Sequence, residues 1–256
     1  MSGFISKYSS SYLNFEKYYF MKPLRNILFL DIETTSGKAH FEQLSSKEQL
    51  LFAEKTLYQR QKEDLTPEQF YHKAGIWAEF GKVICVSVGY FSSDFPLQRA
   101  FRITSFYGEE KDVLLKVKDL IENYFSSPQH YLCAHNGKEF DFPFLARRML
   151  IQGIILPEAL NTMGKKPWEV PFLDTMELWK FGDFKHYTSL KLLTHIFGIP
   201  SPKDDIDGSE VHGVYYEQND IKRIVTYCEK DVLALTQVYL KLCNQKLLTE
   251  DEVQVL

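Results

Sequence analysis

The chain has 256 residues, 45% of them hydrophobic and 15% aromatic, with 25% charged residues and a formal net charge of −4. That composition supplies a sizeable core and excludes wholesale disorder. The mildly acidic balance excludes a surface that is basic throughout, so any phosphate-binding surface must be local.

Residues 1–25 read as an N-terminal extension, with Met21 just before the first strand-like run. Residues 26–31 (NILFLD) predict a buried strand that ends in acid. Residues 40–80 are helical in character and polar, with Leu44, Leu50, Leu51 and Phe52 as a thin apolar face; about 37–80 is expected as a helical insertion at the edge of the fold. Residues 82–91 (KVICVSVGYF) and the more polar 97–104 predict a hairpin, joined through SSDFP. A helix is expected over about 109–125, with Val113, Val117, Leu120, Ile121 and Tyr124 at helical spacing. A short strand at 131–135 and a helix at about 141–151 follow, then a loop at 161–171 and a strand in FLDTMEL. Beyond it the chain reads as mostly helical, with a turn-rich break at 198–209. Without repeat or linker, residues 26–246 predict one α/β domain with a central mixed sheet flanked by helices, and 247–256 a tail.

Cys85, Cys133, Cys228 and Cys243 form no C-x-x-C pair, which excludes a zinc knuckle and a disulfide framework and suits a cytoplasmic chain. No apolar run reaches the roughly 20 residues that span a bilayer, and no signal-peptide core is present, so no membrane association is expected.

Chemistry concentrates in a few acids. Asp31 and Glu33 are two apart on a strand and share a face, where like charges repel unless a cation lies between them. The pair reads either as solvated strand-end acids or as metal ligands; its place at the end of the most hydrophobic strand favours the second. Asp141, ahead of Pro143, reads alone as an ordinary helix N-cap. Asp231 falls within or at the edge of an apolar stripe running from Ile221 to Leu242, where a carboxylate is costly unless it binds metal or pairs with a cation such as Lys191 or Arg147. Tyr227 is one turn earlier on the same face.

Three ordered blocks result: D-x-E at 31–33, N-x-x-x-F-D at 136–141 and Y-x-x-x-D at 227–231. Together they resemble the DEDD exonuclease superfamily on a ribonuclease H-like fold. Thr226 stands where the histidine branch has His, so the resemblance is to the tyrosine branch. The stretches AEFGKVICVSVGY and LDTMELWKFGDFKHYTSLKLLTHIFGIPSPKDDIDGSEV are similar to stand-alone relatives of the family B DNA polymerase proofreading domain. The insertion departs from that pattern.

The resemblance implies a metal-dependent 3′–5′ exonuclease with two divalent cations, Mg²⁺ or Mn²⁺, held by Asp31, Glu33, Asp141 and Asp231, while Tyr227 orients the attacking water. It implies Thr34, Asn136 and Phe140 as contacts to the terminal nucleotide, with core packing the competing role for Phe140. Arg147, Arg148, Lys165, Lys166, Lys185 and Lys191 are candidates for the phosphate track. Asp174 reads as a strand-end structural acid. The expected partner is nucleic acid, single-stranded DNA ahead of RNA. With no polymerase module after Asp231, DNA repair or turnover is expected, and a DNA polymerase or repair partner in trans stays open. The alternatives are a catalytically silent binding module of the same fold and a small-nucleotide phosphodiesterase.

Overall fold

Alternation along one strand organises the molecule. The computed structural model describes residues 22–92, 99–183, 187–200 and 206–256. Expectations placed on residues 1–21, on most of SSDFP, on part of the 198–209 break and on Lys185 lie outside them. Six strands, β1 (Ile27–Ser36), β2 (Gly81–Phe91), β3 (Phe101–Tyr107), β4 (Tyr131–Ala134), β5 (Phe172–Asp174) and β6 (Val253–Val255), lie in the order β5-β4-β1-β2-β3-β6. The sheet is mixed: β1–β2 and β2–β3 pair antiparallel, while β4 with β1, β5 with β4 and β6 with β3 pair parallel.

The helices among the described residues are α1 (Ser46–Glu63), α2 (Pro67–Phe70), α3 (Glu110–Tyr124), α4 (Asp141–Ile151), α5 (Thr175–Lys180), α6 (Leu190–Phe197), α7 (Val211–Tyr216) and α8 (Ile221–Leu242). Leu28, Leu30 and Ile32 of β1 pack into one core with Val113 and Val117 of α3 and Leu145 of α4. Ile27 and Phe29, on the opposite face, pack with Val232, Leu235 and Tyr239 of α8. The period of two then carries Asp31 and Glu33 onto the face that α8 covers.

The structure corrects several expectations. β1 continues past Asp31 to Ser36, because Thr34, Thr35 and Ser36 pair with Val83, Lys82 and Gly81 after a register shift at Glu33/Thr34. The acids therefore lie within the strand, beside a bulge of the kind that re-aims side chains near active sites. FLDTMEL is strand only to Asp174, whose carboxylate accepts from the Met176 and Glu177 backbone N–H groups and so starts α5. Residues 253–255, expected in the tail, add β6 to the sheet edge.

The insertion is helical, with Ser45 capping α1 through a reciprocal box with Glu48. Its buried face matches the expected one only at Leu44 and Phe52. Leu50 and Leu51 are exposed, whereas Phe41, Leu44, Phe52, Phe70 and Tyr71 form a small aromatic core. The insertion returns through a 3-10 helix (Tyr71–Ile76) against β1, where a Cβ on Gly75 would approach Thr35 Cα to 2.9 Å. Only glycine permits that backbone-on-backbone contact.

Candidate active site

Five side chains from three elements meet at the end of the α8-covered face. Asp31 and Glu33 come from β1, Asp141 from the first turn of α4, and Tyr227 and Asp231 from α8. Asp141 is not the N-cap of its helix. Phe140 holds that position, and Asp141 Oδ1 accepts from the Ile32 backbone N–H at 3.2 Å, which ties α4 to the strand between the two other acids.

The electrostatics mark these groups as one cluster. Burial pushes Asp31 and Glu33 well above the usual carboxylate range; the charges of Glu33, Asp231 and Asp141 push Asp31 further, and those of Asp231 and Asp141 push Glu33. Asp141 is raised to about 7, mainly by burial, with Asp174 and Asp231 adding and its backbone hydrogen bonds opposing. Like charges so placed favour a cation between them. Oxygen donors of this kind suit hard Mg²⁺ or Mn²⁺.

Tyr227 hydrogen-bonds Asp231, and its hydroxyl is driven far above its ordinary value by burial and then by the charges of Asp231, Glu33 and Asp31. It therefore stays protonated. Asp31, Tyr227 and Asp231 line a cleft of about 370 Å³ together with Lys191 and His135.

The remaining expected contacts divide. Thr34 donates to the Gly75 carbonyl at 2.8 Å and, with Glu33 and Phe140, lines a second cavity. Phe140 also packs on Phe144 and the main core, so a packing role and a cavity-lining role coexist. Asn136 adopts a left-handed backbone, φ 62°, and its buried Oδ1 has no hydrogen-bond partner among the described residues. Asp174 is structural, its Oδ1 and Oδ2 accepting from the Asn136 and Lys138 backbone N–H groups. Among the cations, Arg148 is removed from the phosphate track: it is buried and bound to Glu110 and the Ala78 carbonyl. Lys165 pairs with Glu158, and Lys166 lies over Trp168. Lys191 does face the cleft.

Cys228 enters the sequence analysis only as one of four cysteines without a C-x-x-C partner. Its Sγ lies 3.3 Å from Asp31 Oδ2, and Asp31, Glu33 and Cys228 bring possible ligand atoms within 4.8 Å of one another. Its spacing, three residues before Asp231, places it on the same helix face and could have signalled this.

Comparisons with known proteins bear on the family and the fold. The profile of a family described as predicted 3′–5′ exonuclease related to the exonuclease domain of PolB matches residues 76–254. That range holds Asp141, Tyr227 and Asp231 but not Asp31 and Glu33, which the sheet brings to them. The chain is similar to the family B DNA polymerase from the hyperthermophilic archaeon Pyrobaculum calidifontis, with 18% identity and a TM-score of 0.51 over 85% of this chain and 25% of the polymerase. It thus spans a quarter of that polymerase, and the likeness is one of fold, a ribonuclease H-like mixed α/β sheet. No curated protein matches the sequence.

Proposed function

Because the chain belongs to the family of predicted 3′–5′ exonucleases related to the exonuclease domain of PolB, we propose that it removes nucleoside 5′-monophosphates from the 3′ ends of single-stranded DNA by a two-metal mechanism of the DEDD tyrosine branch. The observation that carries this is the convergence of Asp31, Glu33, Asp141 and Asp231 into one electrostatically strained cluster with Tyr227 bonded to its edge.

Asp31, Glu33, Asp141 and Asp231 would hold the two cations. Such ions, when bound, supply an activated water and stabilise charge on the phosphate and leaving oxygen. Tyr227 acts as a protonated hydroxyl that orients a water, since burial holds it well above its ordinary value. Lys191, across the same cleft, supplies positive charge for a phosphodiester backbone. A catalytically silent module has no need to keep four mutually repelling buried acids, whose ionisation costs stability without a cation.

The test is product identity. Uniformly labelled single-stranded DNA should release nucleoside 5′-monophosphates from the first turnovers, with the 5′ label retained on the shortening strand. Release of oligonucleotides, or of mononucleotides bearing a 3′-phosphate, would refute the proposed reaction.

A further inference from the structure

Adjacent residues of α8 are bonded to two different strands. Cys228 Sγ donates to the Asp31 main-chain oxygen of β1 at 3.4 Å. Glu229 Oε1 accepts from Ser105 Oγ of β3 at 2.8 Å. Strand β2 runs between those two. On it Ser87 pairs in register with Asp31 on one side and with Ser105 on the other, and its hydroxyl meets Ser105 Oγ at 2.8 Å. Asp31, Ser87 and Ser105 thus form a polar row across the sheet beneath α8. The bonds in that row have one direction. An ionised carboxylate only accepts, so the Ser105 proton points to Glu229, and the buried Ser87 hydroxyl must donate to Ser105.

Further along, a Cβ on Gly89 would lie 2.7 Å from Val232 Cγ1, so α8 rests directly on β2 there. Val232, Leu235 and Tyr239 hold the helix to the sheet by apolar contact. Such contact is non-directional and sets how close the helix lies, not how it is rolled. Hydrogen bonds to strands on both sides of β2 fix the roll. Roll matters because Tyr227 and Asp231 flank the two bonded residues. Side-chain ends lie about 5–6 Å from a helix axis, so a roll of roughly 10° moves the Asp231 carboxylate by about 1 Å. We infer that Glu229 is a positioning residue: through Ser105 and Ser87 it sets the roll of α8 and so places Tyr227 and Asp231 against Asp31 and Glu33. Glu229 is not part of the cleft wall, and its role in turnover rests on the exonuclease reading.

Glu229 is half-buried, so replacing it does not threaten the fold. Glu229→Ala and Ser105→Ala should each lower kcat on single-stranded DNA about tenfold, within the roughly 100-fold that a 1 Å misplacement can cost, with KM within about twofold. Each should also weaken Mn²⁺ binding, read by calorimetric titration, about tenfold, the low end for a lost supporting bond around metal ligands. The double variant should be no worse than either single one, because both remove the same tether. Glu229→Gln, whose amide oxygen can accept the same bond, should keep both readouts within about twofold of the parent. A tether that only stabilises the fold would lower the melting temperature and leave kcat and Mn²⁺ affinity at parent values. That result would overturn the inference, as would a loss in Glu229→Gln equal to that in Glu229→Ala. If the parent shows no hydrolysis, the exonuclease reading is what fails, and the Mn²⁺ titrations decide alone. Affinity lowered in both alanine variants then supports the positioning role; equal affinity throughout, or no binding by the parent, refutes it.

Discussion

The Cys228 thiol reaches Asp31 twice, with Sγ 3.3 Å from Oδ2 and 3.4 Å from the main-chain carbonyl oxygen. A buried thiol on α8 thus touches one of the carboxylates proposed to hold a cation. Burial and the nearby charges of Asp31 and Glu33 keep that thiol protonated in the absence of metal.

Sulfur beside two carboxylates invites a soft cation. Cd²⁺ should inhibit the Mn²⁺-supported reaction, and Cys228→Ser should raise the inhibitory concentration about tenfold, roughly the 1.4 kcal/mol of a modest ligand preference. Equal inhibition of both proteins would show that Cys228 does not meet the bound ion.

Asp141 carries a pH prediction. Its folded pKa of about 7 stands above the ordinary 3.8. The group's contribution to stability is therefore complete below about pH 4 and is lost as pH rises through 7. In chelator, the protein should be about 1 kcal/mol more stable at pH 6 than at pH 8 from this group, with Asp31 and Glu33 acting in the same direction. Thermal melts should show the difference shrinking in Asp141→Asn and reversing when Mn²⁺ is added at pH 8. Greater stability of the metal-free protein at pH 8 would contradict the electrostatic account.

Tyr227→Phe should lower turnover on the order of 100-fold, the low end of the range for a side chain acting on a reacting proton, and leave Mn²⁺ affinity within about twofold. Because the hydroxyl does not ionise near neutrality, the wild-type rate profile should contain no limb that Tyr227→Phe removes. Rate profiles of the two enzymes between pH 6 and 9 decide this.

Arg148 and Glu110 are each 9% exposed and form a two-point pair, and Glu110 also accepts from the Val83 backbone N–H. Arg148→Ala leaves that carboxylate buried without its cation and should cost about 3–5 kcal/mol, read from denaturant melts. A loss under 1 kcal/mol would mean the pair is more hydrated than its burial indicates.

How much of this was legible in the sequence depended on whether burial or context set the outcome. The strand through Leu28 and Leu30, the α4 helix and the α8 stripe followed from apolar periodicity. Asp231 stood out because a carboxylate in an apolar stripe demands a partner. The end of β1 was misplaced because Asp and Glu are poor strand formers; pairing with Lys82 and Gly81 carries the strand on to Ser36. Asp141 resembled a cap because local spacing cannot reveal a bond to Ile32, 109 residues away. The insertion's core was misjudged for a related reason. Its buried aromatics, Phe41, Phe52, Phe70 and Tyr71, come from separate short segments and leave no single helical stripe to read. The edge strand Val253–Val255 is too short for its alternation to register.

The most direct measurement is the fate of 5′-labelled single-stranded DNA with Mg²⁺, with Mn²⁺ and with chelator, for the wild-type protein and Asp231→Asn. The four-carboxylate account predicts a ladder that shortens from the 3′ end only when metal is present and falls at least about 100-fold in the variant, since a bound metal contributes several kcal/mol. Intact DNA in every wild-type lane, or a ladder that Asp231→Asn leaves unchanged, would contradict it.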